Sequence, residues 1–142
     1  MNIGSINWLA VIVCVIVSML VGSVWFSQKT FFPMWWKAIG KTDGQEPGSS
    51  DIPMGLVWGL VVLSAIIQAI FLAVFVNALG SLSGGATLGS GILTGFLVWC
   101  GFVAPTGLMN KLFAGQLKAW VLEVGEHLIV FLLSGAVLGA WH

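Results

Sequence analysis

The chain has 142 residues, 58% of them apolar and only 7% charged, with five basic against five acidic side chains. A soluble domain carries roughly a quarter charged residues, so this composition calls for a membrane rather than water as its solvent. With a formal net charge of zero, no Arg and no basic run, the chain lacks the electrostatic footprint of a nucleic-acid binder, and that function class is excluded.

Four long apolar stretches follow one another, at residues 6–26, 53–79, 88–109 and 119–141. Each approaches or exceeds the roughly 20 residues that cross about 30 Å of hydrocarbon as a helix. A membrane β-barrel needs alternating apolar and polar positions, and runs such as 9–13 and 66–76 do not alternate. The expected fold class is therefore all-α, a polytopic integral membrane protein with four transmembrane helices in one domain over 1–142. The first stretch has no Lys or Arg before it and is longer than a signal-peptide core, so it is expected to be retained.

Trp side chains favour the headgroup level, where an apolar ring and one N–H are both accommodated. Trp8 and Trp25 bracket the first span. Trp120 and Trp141 bracket the fourth, 21 positions or about 31 Å apart as a helix. All five lysines fall in two places: Lys29, Lys37 and Lys41 after the first span, Lys111 and Lys118 between the third and fourth. Because Lys-bearing short loops stay on the cytoplasmic side, loop 27–52 and the third loop are expected in the cytoplasm and both termini outside.

The first loop opens with Phe31, Phe32, Pro33, Met34, Trp35, Trp36, Lys37 and closes its motif at Gly40. Pro suits a helix start and Gly the residue after its end, so a short interfacial helix is predicted here. Trp35, Trp36 and Lys37 either lie at the headgroup boundary against lipid or pack on the mouth of the bundle. Residues 42–50 read as a mobile turn, with Asp51 as N-cap of the second span and Pro53 in its first turn.

Small residues four apart let helix backbones approach, and four such pairs occur: Ser18 and Gly22, Gly55 and Gly59, Gly91 and Gly95, Gly135 and Gly139. Packing within the chain is the expected use of these pairs, ahead of a dedicated dimer face. The order Trp25, Pro33, Lys37 after the first span is echoed by Trp99, Pro105, Lys111 in the third, a faint internal repeat.

The most costly feature is on the fourth span, where Glu123, Glu126 and His127 stand at i, i+3 and i+4 on one helix face. Ionisable groups within a membrane face a bundle interior, a wet crevice or a partner. Four uses compete. The carboxylates bond to Lys111, Lys118, Trp indoles or backbone freed by Pro105 and fix helix register. Alternatively, with histidine titrating near neutrality, the cluster handles protons or a ligand. A metal site would need more ligands than one chain offers, since Glu-x-x-Glu-His occurs once, and no metal or cofactor is expected. A hydrolytic enzyme lacks an accompanying Ser or Cys nucleophile motif, and no catalytic residue is assigned.

Gln68 and Asn77 on the second span are each expected to make an interhelical hydrogen bond. Cys14 and Cys100 read as buried thiols. Pro105 removes a backbone donor and should bend or loosen the third span close in depth to the Glu123–His127 cluster, its freed carbonyl facing His127 across a crevice open to the cytoplasm.

The segment Gly22, Trp25, Phe26, Ser27, then Phe31, Phe32, Trp35, Trp36, Lys37, Gly40, resembles the opening signature of the domain-of-unknown-function 1761 family of small bacterial and archaeal membrane proteins. Asn110, Lys111, Phe113, Gly115 and the close through Glu126, His127 and 135–141 are similar to that family's end. The chain departs from the pattern with Phe26 for Tyr and Gln28 for Pro, and its acidic pair on the fourth span is not a family expectation. The resemblance implies a four-helix fold and no activity, in a prokaryotic cytoplasmic membrane. The expected role is an accessory or structural subunit packing with other membrane proteins or with itself in the lipid bilayer. The alternative is a homo-oligomeric small transporter or channel using Glu123, Glu126 and His127.

Overall fold

A computed structural model describes residues 3–45 and 52–142. Among them the structure is helical throughout, with no strand. Helix α1 is Trp8–Trp25, α2 is Phe32–Ala38, α3 is Met54–Leu82, α4 is Leu88–Val98, α5 is Ala104–Phe113 and α6 is Leu117–Ala140. A π-helical turn at Trp99–Val103 joins α4 to α5, so 88–113 is one continuous span. Four helices, α1, α3, α4 with α5, and α6, are long and apolar enough to cross a membrane. The chain is a multi-pass membrane protein.

Local signals account for most boundaries. Asn7 caps α1, its side chain accepting from the backbone N–H groups of Leu9 and Ala10. Thr87 and Ser90 cap α4 reciprocally. The α2 segment starts on Pro33 and ends in a Schellman motif, with Gly40 at φ +83° and bonds from Gly40 and Lys41 N–H to the Lys37 and Trp36 carbonyls. The same device ends α5, where Gly115 has φ +69° and the N–H groups of Gly115 and Gln116 reach Leu112 and Lys111. The echo between the two halves is thus physical: each lysine-bearing segment is a Pro-started helix closed on glycine. The Asp51 cap and residues 46–50 of the predicted turn lie outside the described residues. Pro53 is the residue before α3 rather than part of its first turn.

The helices meet with unequal intimacy. In lipid no hydrophobic force drives helices together, so close van der Waals packing must do it. Gly91 and Gly95 on α4 face Gly135 and Gly139 on α6, and a Cβ at Gly91 would fall on the Gly135 carbonyl, one at Gly139 on the Thr87 carbonyl. Gly22 on α1 instead leaves room for the Glu126 carboxylate, 3.5 Å from where its Cβ would be. Around this seam the core gathers Ala10, Val11 and Cys14 of α1, Ala69, Leu72, Ala73 and Val76 of α3, and Phe131 and Leu138 of α6.

Helix α3 is the exception. Its buried residues begin at Ala65, and no residue of 54–64 is buried, so about 16 Å of helix leaves the bundle at the lysine-bearing end. A Cβ at Gly55 or Gly59 would meet nothing within 4 Å.

Candidate functional site

The first three turns of α6 carry the polar cluster and turn it two ways. Trp120, Glu123, Val124 and His127 share one side, toward Val103 of the π turn and Gly107 of α5. Glu126 points toward Gly22 of α1 and is only 6% exposed. The imidazole of His127 joins the two sides. Its Nδ1 lies 2.8 Å from the Glu123 carbonyl oxygen and 2.9 Å from Glu126 Oε2.

Glu123 ties together the elements at the lysine-bearing end. Its Oε1 is 3.3 Å from Lys111 Nζ on α5 and accepts a hydrogen bond from Trp35 Nε1 on α2 at 2.9 Å. Gln116 extends the tie: its Nε2 donates to the Ile39 carbonyl at 3.2 Å, and its Oε1 accepts from Lys111 at 3.5 Å. A backbone that would have to be ordered by water at a soluble surface is here ordered by side chains, which suits a boundary where water is scarce.

Indole N–H groups supply the remaining cross-links. Trp25 donates to the Leu122 carbonyl at 2.9 Å, Trp99 to Val124 at 2.9 Å, and Trp120 to Ala104 at 3.0 Å. With His127 on the Glu123 carbonyl, three consecutive α6 carbonyls, 122 to 124, each receive a side-chain donor. Gly125 makes this approach possible, since a Cβ there would lie 3.2 Å from the Trp25 ring. Trp25 and Trp120 therefore turn their indole N–H groups into the bundle. A buried indole N–H seeks a partner, and a helix carbonyl with a spare lone pair is the nearest one.

A cavity of about 130 Å³ lies beside this cluster, lined by Val103, Gly107, Trp120, Glu123, Val124 and His127. The atoms around His127 Nδ1 are a carbonyl and a carboxylate oxygen, both acceptors, so the proton is assigned to Nδ1. Among the described residues neither His127 Nε2 nor Glu123 Oε2 has a hydrogen-bond partner. Nor does any group of three or more His, Cys, Asp or Glu among them suit a metal ion.

The other predicted residues scatter. Lys118 is exposed and pairs with neither glutamate, unlike Lys111. Pro105 follows the π turn, in which the Ala104 N–H reaches back to the Trp99 carbonyl; the span continues, and the His127 ring lies on the Glu123 carbonyl and Glu126 rather than on a carbonyl of the third span. Asn77 donates to the Ser5 carbonyl at 3.4 Å. Gln68 makes no hydrogen bond among the described residues, because it stands exposed where α3 begins to diverge. Trp36 is buried, donating to Thr42 at 2.9 Å, so α2 packs on the bundle while Lys37 stays exposed. Cys14 is buried and bonds the Ser134 carbonyl, but Cys100, on the π turn, is exposed.

The family model described as a protein of unknown function, DUF1761, matches residues 9–139, from the second residue of α1 to the last but one of α6. The chain belongs to this family. The match takes in every residue of the cluster and its cavity. No curated protein and no solved structure matches the chain.

Two parts of the site escaped the reading of residue types. The Val103 and Gly107 wall is apolar and carries no chemical signal of its own. The inward indoles had a signal, the Gly125 and Gly107 positions that face them, and it becomes legible only once helix faces are paired.

Proposed function

We propose that this protein is an accessory or structural subunit of the prokaryotic cytoplasmic membrane, with both termini outside, that works by packing against another transmembrane helix through the diverging half of α3. One observation carries the reading. The costly groups of α6 find partners inside the chain, Glu123 with Lys111 and Trp35 and Glu126 with His127, whereas the small face of α3 at Gly55 and Gly59 meets nothing among the described residues. Helices associate in lipid by close contact of small faces, and a face left open while its equivalents are closed is the one available to a partner. Its surroundings, Leu56, Trp58, Leu60 and Leu63, are uncharged and exposed, which suits a membrane-embedded helix and not a soluble protein.

Gentle extraction from the native membrane followed by measurement of the intact mass tests this. The expected result is a particle well above the 15.1 kDa chain that falls to monomer mass in Gly55→Leu, Gly59→Leu with unchanged thermal stability. A monomer in both cases contradicts it. Different polypeptides in the particle identify a subunit of a larger complex, and copies of this chain alone identify self-association. The alternative of a proton- or cation-linked transporter predicts pH-dependent flux lost in a Glu123→Gln, Glu126→Gln double variant that still assembles.

A further inference from the structure

The cavity beside α6 has a composition that packing alone does not require. Its walls are apolar at Val103, Val124 and Gly107, aromatic at Trp120, and polar only at Glu123 and His127. Those two side chains are partly open, with 26% and 37% of their surface accessible. The hydrogen-bond pattern settles what they offer. Lys111 and Trp35 both address Glu123 Oε1, which leaves Oε2 as an acceptor. Nδ1 of His127 donates to carbonyl and carboxylate oxygens, so a neutral imidazole presents a lone pair at Nε2. Glu123 and His127 thus border one space, and among the described residues no donor reaches Glu123 Oε2 or His127 Nε2.

Charge points the same way. Glu123 and Glu126 face His127 from its own helix, Lys111 of α5 is the one lysine among the described residues paired with them, Trp35 of α2 adds an N–H without charge, and Gly22 of α1 adds neither. Lys118 is exposed and takes no part. Two carboxylates against one ammonium leave one negative charge uncompensated whenever His127 is neutral, in a setting where an unbalanced charge is costly.

We propose that this cavity binds a primary ammonium group, its N–H donors taken by Glu123 Oε2 and His127 Nε2 and its charge lying against the Trp120 indole. An aromatic wall beside anionic acceptors is favourable chemistry for a cation. The volume admits a small amine on the order of six non-hydrogen atoms. The ammonium comes either from a free amine or from the headgroup of an aminophospholipid. Protonation of His127 would supply the same missing positive charge and convert Nε2 from acceptor to donor, so proton and ammonium compete for one site.

The test uses the full chain in phosphatidylcholine nanodiscs, whose quaternary headgroups cannot donate a hydrogen bond, with ethanolamine as probe and ethylene glycol as its neutral counterpart. Calorimetry should show ethanolamine binding and no ethylene glycol binding. Affinity should fall about tenfold or more in His127→Leu and in Glu123→Gln, each of which removes a charge-assisted acceptor or its charge. It should fall similarly as the pH is lowered and the imidazole takes the proton. Because His127→Leu disturbs the Glu126 pair as well, Val103→Phe serves as a second variant. It fills the space from the facing turn, removes no member of either ion pair, and should abolish binding while the helical circular dichroism is kept. Repeating the titration in phosphatidylethanolamine nanodiscs separates the sources: suppressed ethanolamine binding assigns the site to the lipid headgroup, and undiminished binding assigns it to a free amine. Equal binding of ethylene glycol, no binding of ethanolamine in either lipid, or full binding in Val103→Phe overturns the proposal.

Discussion

Gly91 and Gly95 on α4 have the same spacing as Gly55 and Gly59 on α3, and opposite surroundings. The first pair is pressed against α6 so closely that any added Cβ would strike backbone at Gly135 or Phe131, while the second faces open space. Identical sequence motifs therefore do different things in one chain, and the difference lies in what stands opposite. Where a second small pair is available at the same depth, as at Gly135 and Gly139, the seam closes within the chain. Where α3 finds no such counterpart among the described residues, its first three turns contribute no buried residue.

The comparison is most severely tested at the seam. Gly91→Leu should cost at least about 3 kcal/mol of stability, beyond ordinary overpacking because the obstacle is a carbonyl and not a yielding side chain, and thermal unfolding in detergent would show it as loss of folded protein. Gly55→Leu should leave monomer stability within about 0.5 kcal/mol, as for any surface change. A comparable loss at both positions would erase the distinction.

Between these extremes fall the polar ties of α6. Glu126→Leu removes the carboxylate that His127 Nδ1 shares with the Glu123 carbonyl in a buried setting, and should cost roughly 1–3 kcal/mol. Trp120→Phe keeps the ring and deletes the donor to Ala104, for an expected loss of about 1 kcal/mol. Glu123→Gln acts on a partly exposed pair, where solvent weakens the attraction, and should lie below about 1 kcal/mol. If Glu123→Gln proved more damaging than Gly91→Leu, the network at the lysine-bearing end and not the seam would be the chief organiser of the bundle.

How much of this was legible beforehand divides along a physical line. Hydropathy reports depth, so the four spans emerge within a few residues of their ends, and the Pro33 to Gly40 helix follows from backbone preferences that act locally. Azimuth is a different matter. Whether Trp25 turns to headgroups or to the Leu122 carbonyl, whether Gln68 meets a neighbour, and whether Cys100 faces inward all depend on how helices are rotated against one another. The π turn at 99–103 adds to this, because one extra residue in a turn swings everything before it relative to Pro105. Glu123, Glu126 and His127 were visible as costly residues on one face, yet their division between a buried pair at α1 and a cavity at α5 was set by Gly22 and Gly107, glycines whose partners lie far along the chain.

The open face of α3 is the claim on which the proposed function rests, and cross-linking in the intact membrane addresses it directly. A benzophenone maleimide placed on Leu56→Cys, in a Cys100→Ser background that leaves only the buried Cys14, would sample whatever adjoins Gly55 and Gly59. Leu20→Cys on α1, also strongly exposed, provides the comparison. The account predicts a protein adduct heavier than the chain from position 56 and lipid adducts alone from position 20. Lipid adducts alone from both positions would contradict it.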